Sequence, residues 1–217
     1  MVKITWHGHA CFQITLPNGY TIVIDPHDGS SLGLKKPQVK ADLILITHDH
    51  FDHNAANIVA KPGAKIVKEY IGETQVDNVK IVGLQAYHDK SKGRLRGKVS
   101  VYKVEVEGIT IAHLGDIGHV PDEGLVSKLR PLDILMVPIG GVFTIEPYEA
   151  WETIKKLEPK ITIPMHYWLP GTTLPLKTLD EFLGYVKYKV DRVDSNTIEI
   201  TRETLPEEPK IIVLKYV

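Results

Sequence analysis

The stretch from Thr47 to His53 contains side chains that bind metal ions, at a spacing that lets them act together. His48, His50, Asp52 and His53 form an H-x-H-x-D-H motif within six residues. Neutral imidazole is a ligand for zinc and its first-row neighbours, and a carboxylate can complete or bridge such a site. Metal ions held in this way activate water and polarise carbonyl or phosphoryl oxygens. The motif therefore predicts a metal site.

The motif directly follows an apolar run, Asp42–Thr47, which is typical of a buried strand. His48 and His50 lie two positions apart in an extended turn and can converge on one ion. Asp52 and His53 lie at the start of a predicted helix and can turn toward a second ion. A solvated polar loop is the alternative interpretation. Three histidines and two aspartates directly after an apolar strand favour the metal site instead.

The H-x-H-x-D-H motif resembles the signature of the metallo-β-lactamase superfamily. That resemblance implies an α/β (α+β) fold, a four-layer αββα sandwich, with a dinuclear metal site along one edge of the sheets. Four further positions match the family's motifs in the same order along the chain. They are Asp25 after the Ile-Val-Ile run, His88 at the end of Leu84–His88, Asp116 in Leu-Gly-Asp and His166 in Pro-Met-His.

The resemblance, carried over position by position, implies two sets of metal ligands. The implied ligands are His48, His50 and His88 for the first ion, and Asp52, His53 and His166 for the second. Asp116 would bridge the two ions, and Asp25 would position the metal-binding loop. The expected cofactor is two divalent ions per chain, with zinc as the first choice and Mn, Fe or Ni as alternatives.

This ligand set predicts a metal-dependent hydrolase. A metal-bound hydroxide would attack an ester, lactone or phosphodiester bond of a small anionic substrate, while the ions stabilise the developing oxyanion. Asp52 and Asp116 are the expected catalytic residues, because they would help hold the hydroxide and take part in proton transfer. The alternative from another class is a metal-binding protein without hydrolytic turnover.

Three other segments resemble a narrower branch of the superfamily, the metal-dependent hydrolases related to L-ascorbate-6-phosphate lactonase. They are Trp6–Phe12, His113–Asp116 and Pro138–Thr144. This resemblance adds a sugar-phosphate lactonase as an alternative activity. It also implies that His9 and His113 orient ligands or substrate. Two alternatives stay open: both are ordinary histidines at strand ends, or His113 replaces His88 as a metal ligand.

A basic loop follows His88. Residues 89–98 contain Lys90, Lys92, Arg94, Arg96 and Lys98 against the single acid Asp89, so five minus one gives a charge of +4. Beside a metal site this loop predicts a flexible flap that attracts anions, including phosphate-bearing substrates. A solvated surface loop is the alternative. Gly140 and Gly141 follow another apolar run, where the backbone could approach the substrate closely or serve only a tight turn.

The elements that must position these residues alternate along the chain. Strands are predicted at Val2–Trp6, Cys11–Leu16, Tyr20–Asp25, Asp42–Thr47, Ala64–Val67, Lys80–Leu84, Val99–Val106, Ile109–His113, Ile134–Val137 and Ile161–Pro164. Thr197–Thr201 and Ile211–Lys215 are predicted as a closing strand pair. Helices are predicted at His53–Ala60, Asp122–Lys128, Pro147–Leu157 and Leu179–Lys187. This order favours helices packed outside stacked sheets.

The composition limits the remaining choices. The 217 residues suit a single domain, residues 1–217, and the hydrophobic fraction of 43% is ordinary for a globular protein. A net charge of −1 gives no reason to expect nucleic acid or a membrane as partner, and a homo-oligomer stays open. Cys11 is the single cysteine, which excludes an intrachain disulfide. The beginning of the chain shows no signal-peptide pattern, so we expect a cytoplasmic protein.

Overall fold

Two β-sheets carry the candidate site in the computed structural model, which describes residues 1–217. The strands of the first sheet are β1 (Val2–Trp6), β2 (Phe12–Thr15), β3 (Thr21–Ile24), β4 (Ala41–Ile46), β5 (Ala60–Lys68) and β13 (Thr197–Ile200). They lie side by side in the order β13-β1-β2-β3-β4-β5. Strands β3, β4 and β5 run parallel, whereas β1, β2 and β13 pair in antiparallel fashion.

The second sheet has eight strands. They are β6 (Gly72–Val76), β7 (Val79–Tyr87), β8 (Lys98–Val106), β9 (Ile109–His113), β10 (Ile134–Pro138), β11 (Ile161–Met165), β12 (Lys189–Arg192) and β14 (Lys210–Val213). Their spatial order is β12-β14-β11-β10-β9-β8-β7-β6. Strands β9, β10 and β11 are parallel, and β7 shares their direction because β8 is antiparallel to both of its neighbours. The carboxyl ends of β7, β9, β10 and β11 therefore lie at one edge of the sheet.

Four α-helices lie outside the sheets. They are α1 (Ala56–Val59), α2 (Glu123–Leu129), α3 (Pro147–Leu157) and α4 (Leu179–Leu183), and a short 3-10 helix spans Ser30–Leu32. Helix α3 begins with a capping box between Glu146 and Glu149, with Pro147 in its first turn. Its apolar face buries Trp151, Ile154 and other side chains. The predicted mixed α/β class with two sheets is confirmed.

One core of 50 buried residues joins the inner faces of both sheets to the helices behind the second sheet. Strands β10 and β11 are buried along their whole length, which explains their continuous apolar sequences. A smaller cluster of seven buried residues lies behind the first sheet, under α1, and contains Cys11. Burial raises the pKa of the Cys11 thiol, so this cysteine is an inert core residue.

The two sheets are also tied by a hydrogen bond. The Tyr102 hydroxyl, on β8 of the second sheet, donates to the Ile46 carbonyl at the end of β4, at 3.0 Å. The same oxygen accepts a hydrogen bond from the Tyr70 amide at 3.0 Å. Tyr102 is fully buried. The contact fixes the end of β4, from which the H-x-H-x-D-H segment begins.

Several element boundaries differ from the sequence prediction. The helix predicted at His53–Ala60 is present only as α1. It does not begin earlier because the Ala55 amide donates to the Pro26 carbonyl and not to a carbonyl of a preceding helical turn. The helix predicted at Leu179–Lys187 ends at Leu183. The sequence prediction omitted β6 and β12. Both are edge strands with exposed, polar sequences, so they lack the apolar run that marks a buried strand.

The predicted pairing of the last two strands was wrong. Strand β13 pairs with β1 in the first sheet, whereas β14 lies between β11 and β12 in the second. The chain crosses from one sheet to the other between Ile200 and Lys210. An alternating apolar pattern identifies a strand but carries no information about which strand it pairs with.

Candidate metal centre

The seven side chains predicted to bind metal lie together where strands of both sheets end. The first sheet supplies His48, His50, Asp52 and His53 from the loop after β4. The second sheet supplies His88 after β7, Asp116 after β9 and His166 after β11. The aligned carboxyl ends of these strands are what brings residues from such distant parts of the chain to one place.

Two groups contain the predicted ligand atoms, and within each group these atoms lie within 4.8 Å of one another; a third group, Asp25, His48 and His53, shares its histidines with the first two. The first group is His48, His50 and His88. The second group is His9, Asp52, His53 and His166. These groups correspond to the two predicted ligand sets, with His9 added to the second.

Asp116 lies between the two groups. Its Oδ2 atom is 3.4 Å from Nε2 of His88 and 3.9 Å from Nε2 of His48, both in the first group. The same oxygen is 3.1 Å from Nε2 of His166 and 3.3 Å from Nε2 of His53, both in the second group. A single carboxylate oxygen therefore faces histidines of both groups.

Several buried atoms of these residues have no hydrogen-bond partner in the protein. They are Nε2 of His48 and His53, Nδ1 of His88, both ring nitrogens of His166, and Oδ1 of Asp116. Leaving a buried polar atom unpaired is costly, so native proteins rarely do so without a functional reason. Imidazole nitrogens and carboxylate oxygens are ligands of divalent first-row metals. The residues present therefore fit metal ions.

Asp25 holds the metal-binding loop through three hydrogen bonds. Its carboxylate accepts from the Thr47 amide at 2.8 Å, from the Thr47 hydroxyl at 2.6 Å and from Nδ1 of His53 at 2.9 Å. Because a carboxylate only accepts, the His53 proton sits on Nδ1, and Nε2 is left to face Asp116. Asp25 is fully buried, in the position predicted for it.

Thr47 is a residue of the candidate site that the sequence prediction missed. Its hydroxyl proton goes to Asp25, so its oxygen accepts from Nδ1 of His48, 2.9 Å away. This leaves Nε2 of His48 free as a ligand atom. A hydroxyl residue directly before the first histidine of the motif was the available signal. Its meaning depends on the loop conformation, which the sequence does not show.

His9 contacts both Asp52 and His166. Its Nε2–H donates to Asp52 Oδ2 at 3.0 Å, and its ring centroid is 4.0 Å from that of His166. The His9 carbonyl accepts from the His166 amide at 3.1 Å and from the Trp6 indole at 3.0 Å. His9, Asp25 and His166 all have positive φ angles, which non-glycine residues rarely adopt and which cluster at functional sites.

The contacts of His113 favour His88 over it as the candidate metal ligand. Its Nε2–H donates to the Ala10 carbonyl at 2.8 Å, and its Nδ1 accepts from the Gly115 amide at 3.1 Å. Both ring nitrogens are thus used within the protein. His113 instead holds the backbone of the Asp116 loop against the β1–β2 turn. None of the other histidines, His7, His27 and His119, belongs to a ligand group.

Burial and neighbouring charges divide the histidines into two kinds. Burial lowers the pKa values of His48 and His9 to about 3, so both are neutral at pH 7. Burial also opposes a charge on His53, but Asp116 and Asp52 outweigh it and hold the His53 pKa well above its usual range. Burial disfavours ionised Asp116, but His166 and His53 hold its pKa well below the usual range. The carboxylate is therefore ionised and ready to bind cations.

A cavity of about 310 Å³ opens onto the two groups. Its lining consists of His50, Phe51, Asp52, His88, Leu95, Arg96, Asp116, Phe143, His166 and Leu174. A larger cavity, of about 880 Å³, lies along β6 and β7 and is lined by no histidine. The smaller cavity is the one that gives access to the candidate metal centre.

Only one of the predicted basic substrate contacts lines this cavity. Arg96 does so, whereas Lys90 pairs with Glu149 at 2.6 Å, and Lys92 and Arg94 are exposed outside the lining. The loop is also ordered from within. Asp89 accepts hydrogen bonds from four backbone amides, those of Ser91, Gly93, Leu95 and Arg96, at 2.7 to 3.0 Å. The structure thus shows a loop held by internal hydrogen bonds where the sequence predicted a flexible flap.

Gly140 and Gly141 do not line the cavity. A Cβ atom added to Gly140 would lie 2.1 Å from the His166 carbonyl oxygen, so a glycine is required for the close approach of these two loops. Gly141 has φ of +59° and lies against the Glu146 side chain. Gly140 therefore acts on the site through the backbone of His166.

Comparisons with known proteins agree with this geometry. A model of the beta-lactamase superfamily domain matches residues 3–166. A UPF0173 metal-dependent hydrolase of Thermococcus onnurineus is 39% identical over 197 residues, which cover 78% of this chain and 87% of the relative. The chain therefore belongs to the metallo-β-lactamase superfamily and, within it, to the UPF0173 metal-dependent hydrolases. The predicted superfamily is confirmed, while the relation to L-ascorbate-6-phosphate lactonase stays a prediction.

Solved structures show the same fold. A metallo-β-lactamase superfamily protein of Thermotoga maritima superposes with a TM-score of 0.80 at 36% identity, covering 99% of this chain and 98% of that chain. Igni18, a metallo hydrolase of Ignicoccus hospitalis, superposes with a TM-score of 0.68 at 26% identity, covering 92% of this chain and 99% of that one. None of the helices described above combines the length and the apolar character that crossing a bilayer requires.

Proposed function

We propose that this metal-dependent hydrolase works with two divalent ions, zinc as the first choice, and cleaves an ester, lactone or phosphodiester bond of a small anionic substrate. The observation that carries the proposal is the position of Asp116 Oδ2, within 3.1–3.9 Å of Nε2 atoms from both histidine groups. A carboxylate placed in this way suits a bridge between two ions. Imidazole-rich groups favour zinc over magnesium or calcium.

When bound, such ions lower the pKa of coordinated water and polarise the bond to be cleaved. The protein side chains supply orientation and proton handling. Asp52 and Asp116 both line the cavity, so their carboxylates would be placed to accept a proton there. The His9 bond fixes Asp52 Oδ2 in place. Burial raises the pKa of Asp52, but His53 and the His9 hydrogen bond outweigh it and keep this carboxylate ionised.

The test is metal analysis followed by an activity screen. Reconstituted protein is expected to hold about two ions per chain and to hydrolyse at least one member of a panel of chromogenic phosphodiesters, phosphomonoesters, lactones and thioesters. Zn, Mn, Fe and Ni are compared. A stoichiometry that stays below one after reconstitution would reject the two-ion site. Two bound ions without hydrolysis of any panel member would favour a metal-binding protein without turnover.

Two variants locate the ions within this test. His48→Ala removes a ligand of the first group and is expected to weaken the binding of one ion. His166→Ala removes a ligand of the second group and is expected to weaken the binding of the other ion. His119→Ala is the matched control, because His119 bonds to Tyr87 and Val120 and lies outside both groups. Loss of the same ion in both variants would show that the two groups do not bind separately.

A further inference from the structure

The walls of the cavity are apolar apart from the metal-site residues and one arginine. After His50, Asp52, His88, Asp116 and His166 are set aside, the lining is Phe51, Leu95, Phe143, Leu174 and Arg96. Phe51 is 58% exposed and Leu95 is 75% exposed, although both are large apolar side chains. Exposed apolar groups concentrated at the mouth of a cavity mark a ligand-binding surface.

Arg96 is the single cation in these walls, and it is free to bind an anion. Its guanidinium lies over the Phe143 ring, 5.2 Å from the ring centroid. Arg96 forms no salt bridge, since the arginines that do so are Arg130, Arg192 and Arg202. The Arg96 amide is held by Asp89 Oδ2 at 2.8 Å. The ring and the Asp89 bond fix the place of Arg96, while its charge stays unpaired.

This lining suits some ligands and disfavours others. A sugar phosphate carries several hydroxyl groups, and beyond the metal ligands the walls offer no hydroxyl, amide or carboxylate side chain to bind them. A hydroxyl that loses water without gaining a partner weakens binding. An aromatic or branched aliphatic group, in contrast, releases water from the apolar walls and pays no such cost.

We propose that the site selects esters that combine one anionic group, bound by Arg96, with a compact aromatic or branched aliphatic group packed against Phe143, Leu174, Leu95 and Phe51. This substrate class rests on the proposed hydrolase function. The cavity volume of about 310 Å³ limits the apolar group to roughly the size of one substituted ring. Arg96 is the specificity-determining cation, and Asp89 positions it.

Binding of two phosphonates tests the proposal independently of turnover. Phenylphosphonate and methylphosphonate carry the same anionic group, and only the first carries a ring. Calorimetry on the metal-loaded full chain is expected to show phenylphosphonate binding at least ten-fold more tightly. Phe143→Ala is expected to remove most of this preference, and Leu95→Ser to reduce it. Leu95 is exposed, so its replacement leaves the fold intact. Equal affinities for both phosphonates in the unmodified protein would overturn the proposal.

A charge-matched pair of variants tests Arg96. Arg96→Gln is expected to weaken both phosphonates about five- to ten-fold, whereas Arg94→Gln, in the same loop but outside the cavity lining, is expected to change either affinity less than two-fold. Equal losses of affinity in the two variants would show that the loop acts through its overall electrostatic field and not through a direct contact between Arg96 and the anion. That result would overturn the role of Arg96. Tighter binding of glucose 6-phosphate than of phenylphosphonate would overturn the apolar substrate class.

The outcomes separate this inference from the proposed function. Hydrolysis of the chromogenic panel together with equal binding of the two phosphonates would leave the hydrolase intact and reject the substrate class. The expected phosphonate preference in a protein that binds two ions but hydrolyses nothing would reject the proposed function. It would leave the specificity of the cavity standing.

Discussion

Asp116 is the residue that contacts both ligand groups, so its removal is expected to disturb both ions together. We predict that Asp116→Ala lowers kcat/KM by at least about 100-fold, because loss of even an indirect metal partner costs 10- to 100-fold. The loss should equal or exceed that of any single histidine variant. Metal content and kinetics measured on the same preparation provide the check. Near-normal turnover with two tightly held ions would mean that another carboxylate forms the bridge.

Thr47 offers a test of ligand orientation without touching a ligand. Thr47→Val keeps the shape of the side chain but removes the bonds to Asp25 and His48. We expect metal affinity to fall about 10- to 100-fold, since Nδ1 of His48 then loses the acceptor that fixes its tautomer and Asp25 loses one of its hydrogen bonds to the loop. Competition with a chromogenic chelator measures the change. Thr47→Ser keeps the hydroxyl and should restore most of the affinity. A valine variant with unchanged affinity would limit Thr47 to a packing role.

The sequence predicted which candidate ligands would lie together better than it predicted their surroundings. His48, His50, Asp52 and His53 were evident from spacing, and the family motif added His88, Asp116 and His166. The cavity walls were not foreseen, because Phe51, Leu95, Phe143 and Leu174 come from four separate loops and have no common spacing. Their meeting point depends on how the loops are folded, and a sequence pattern does not carry that information.

The loop after β7 shows how one side chain can order an element. Asp89 replaces four missing backbone partners in residues 91–96, and Lys90 joins the loop to Glu149 at the start of α3. A flexible cationic flap was predicted from the sequence because five basic residues were counted and Asp89 was used only to reduce the net charge. The acid has the larger structural effect, since its carboxylate satisfies backbone donors.

Asp89→Ala is expected to release this loop. The four amides lose their acceptor, so their hydrogen exchange should accelerate at residues 91–96 and stay unchanged in β7. KM should rise several-fold more than kcat falls, because Arg96 and Leu95 would no longer be held at the cavity while the metal ligands remain. Lys92→Gln, which makes no such bonds, is the control. Unchanged exchange in the alanine variant would show that other contacts order the loop.

At the level of the whole molecule, Tyr102 is a connection between the sheets. Tyr102→Phe removes the hydroxyl that bonds to Ile46 and Tyr70, so the Tyr70 amide loses its acceptor, while the Ile46 carbonyl keeps its hydrogen bond from the Glu69 amide. The expected cost is about 0.5–1.5 kcal/mol in the free energy of unfolding, the usual net contribution of a hydrogen bond. Urea denaturation measures it, with Tyr185→Phe as the exposed control. A change below about 0.5 kcal/mol, the range of ordinary surface substitutions, would contradict a role for this bond in joining the sheets.

The prediction of the architecture failed mainly where pairing is decided over long distances. The apolar strands were located to within a few residues, but β13 and β14 were paired with each other instead of with separate sheets. The chain returns to both sheets at its end: β13 forms the edge of the first sheet beside β1, and β14 fills the place between β11 and β12 in the second. Pairing of this kind depends on the burial of the finished core, which no local pattern records.

Each ligand group draws on both sheets: the first joins His48 and His50 to His88, and the second joins Asp52 and His53 to His166. An ion in either group would therefore act as a removable cross-link between the two halves of the fold. Binding at 100 times the dissociation constant adds about 2.7 kcal/mol per site to the free energy of unfolding. A chelator should therefore destabilise the fold. The midpoint of thermal unfolding is expected to fall in proportion to the logarithm of the free metal concentration. In a cell, the supply of metal would then determine how long the chain stays folded, as well as how fast it turns over its substrate.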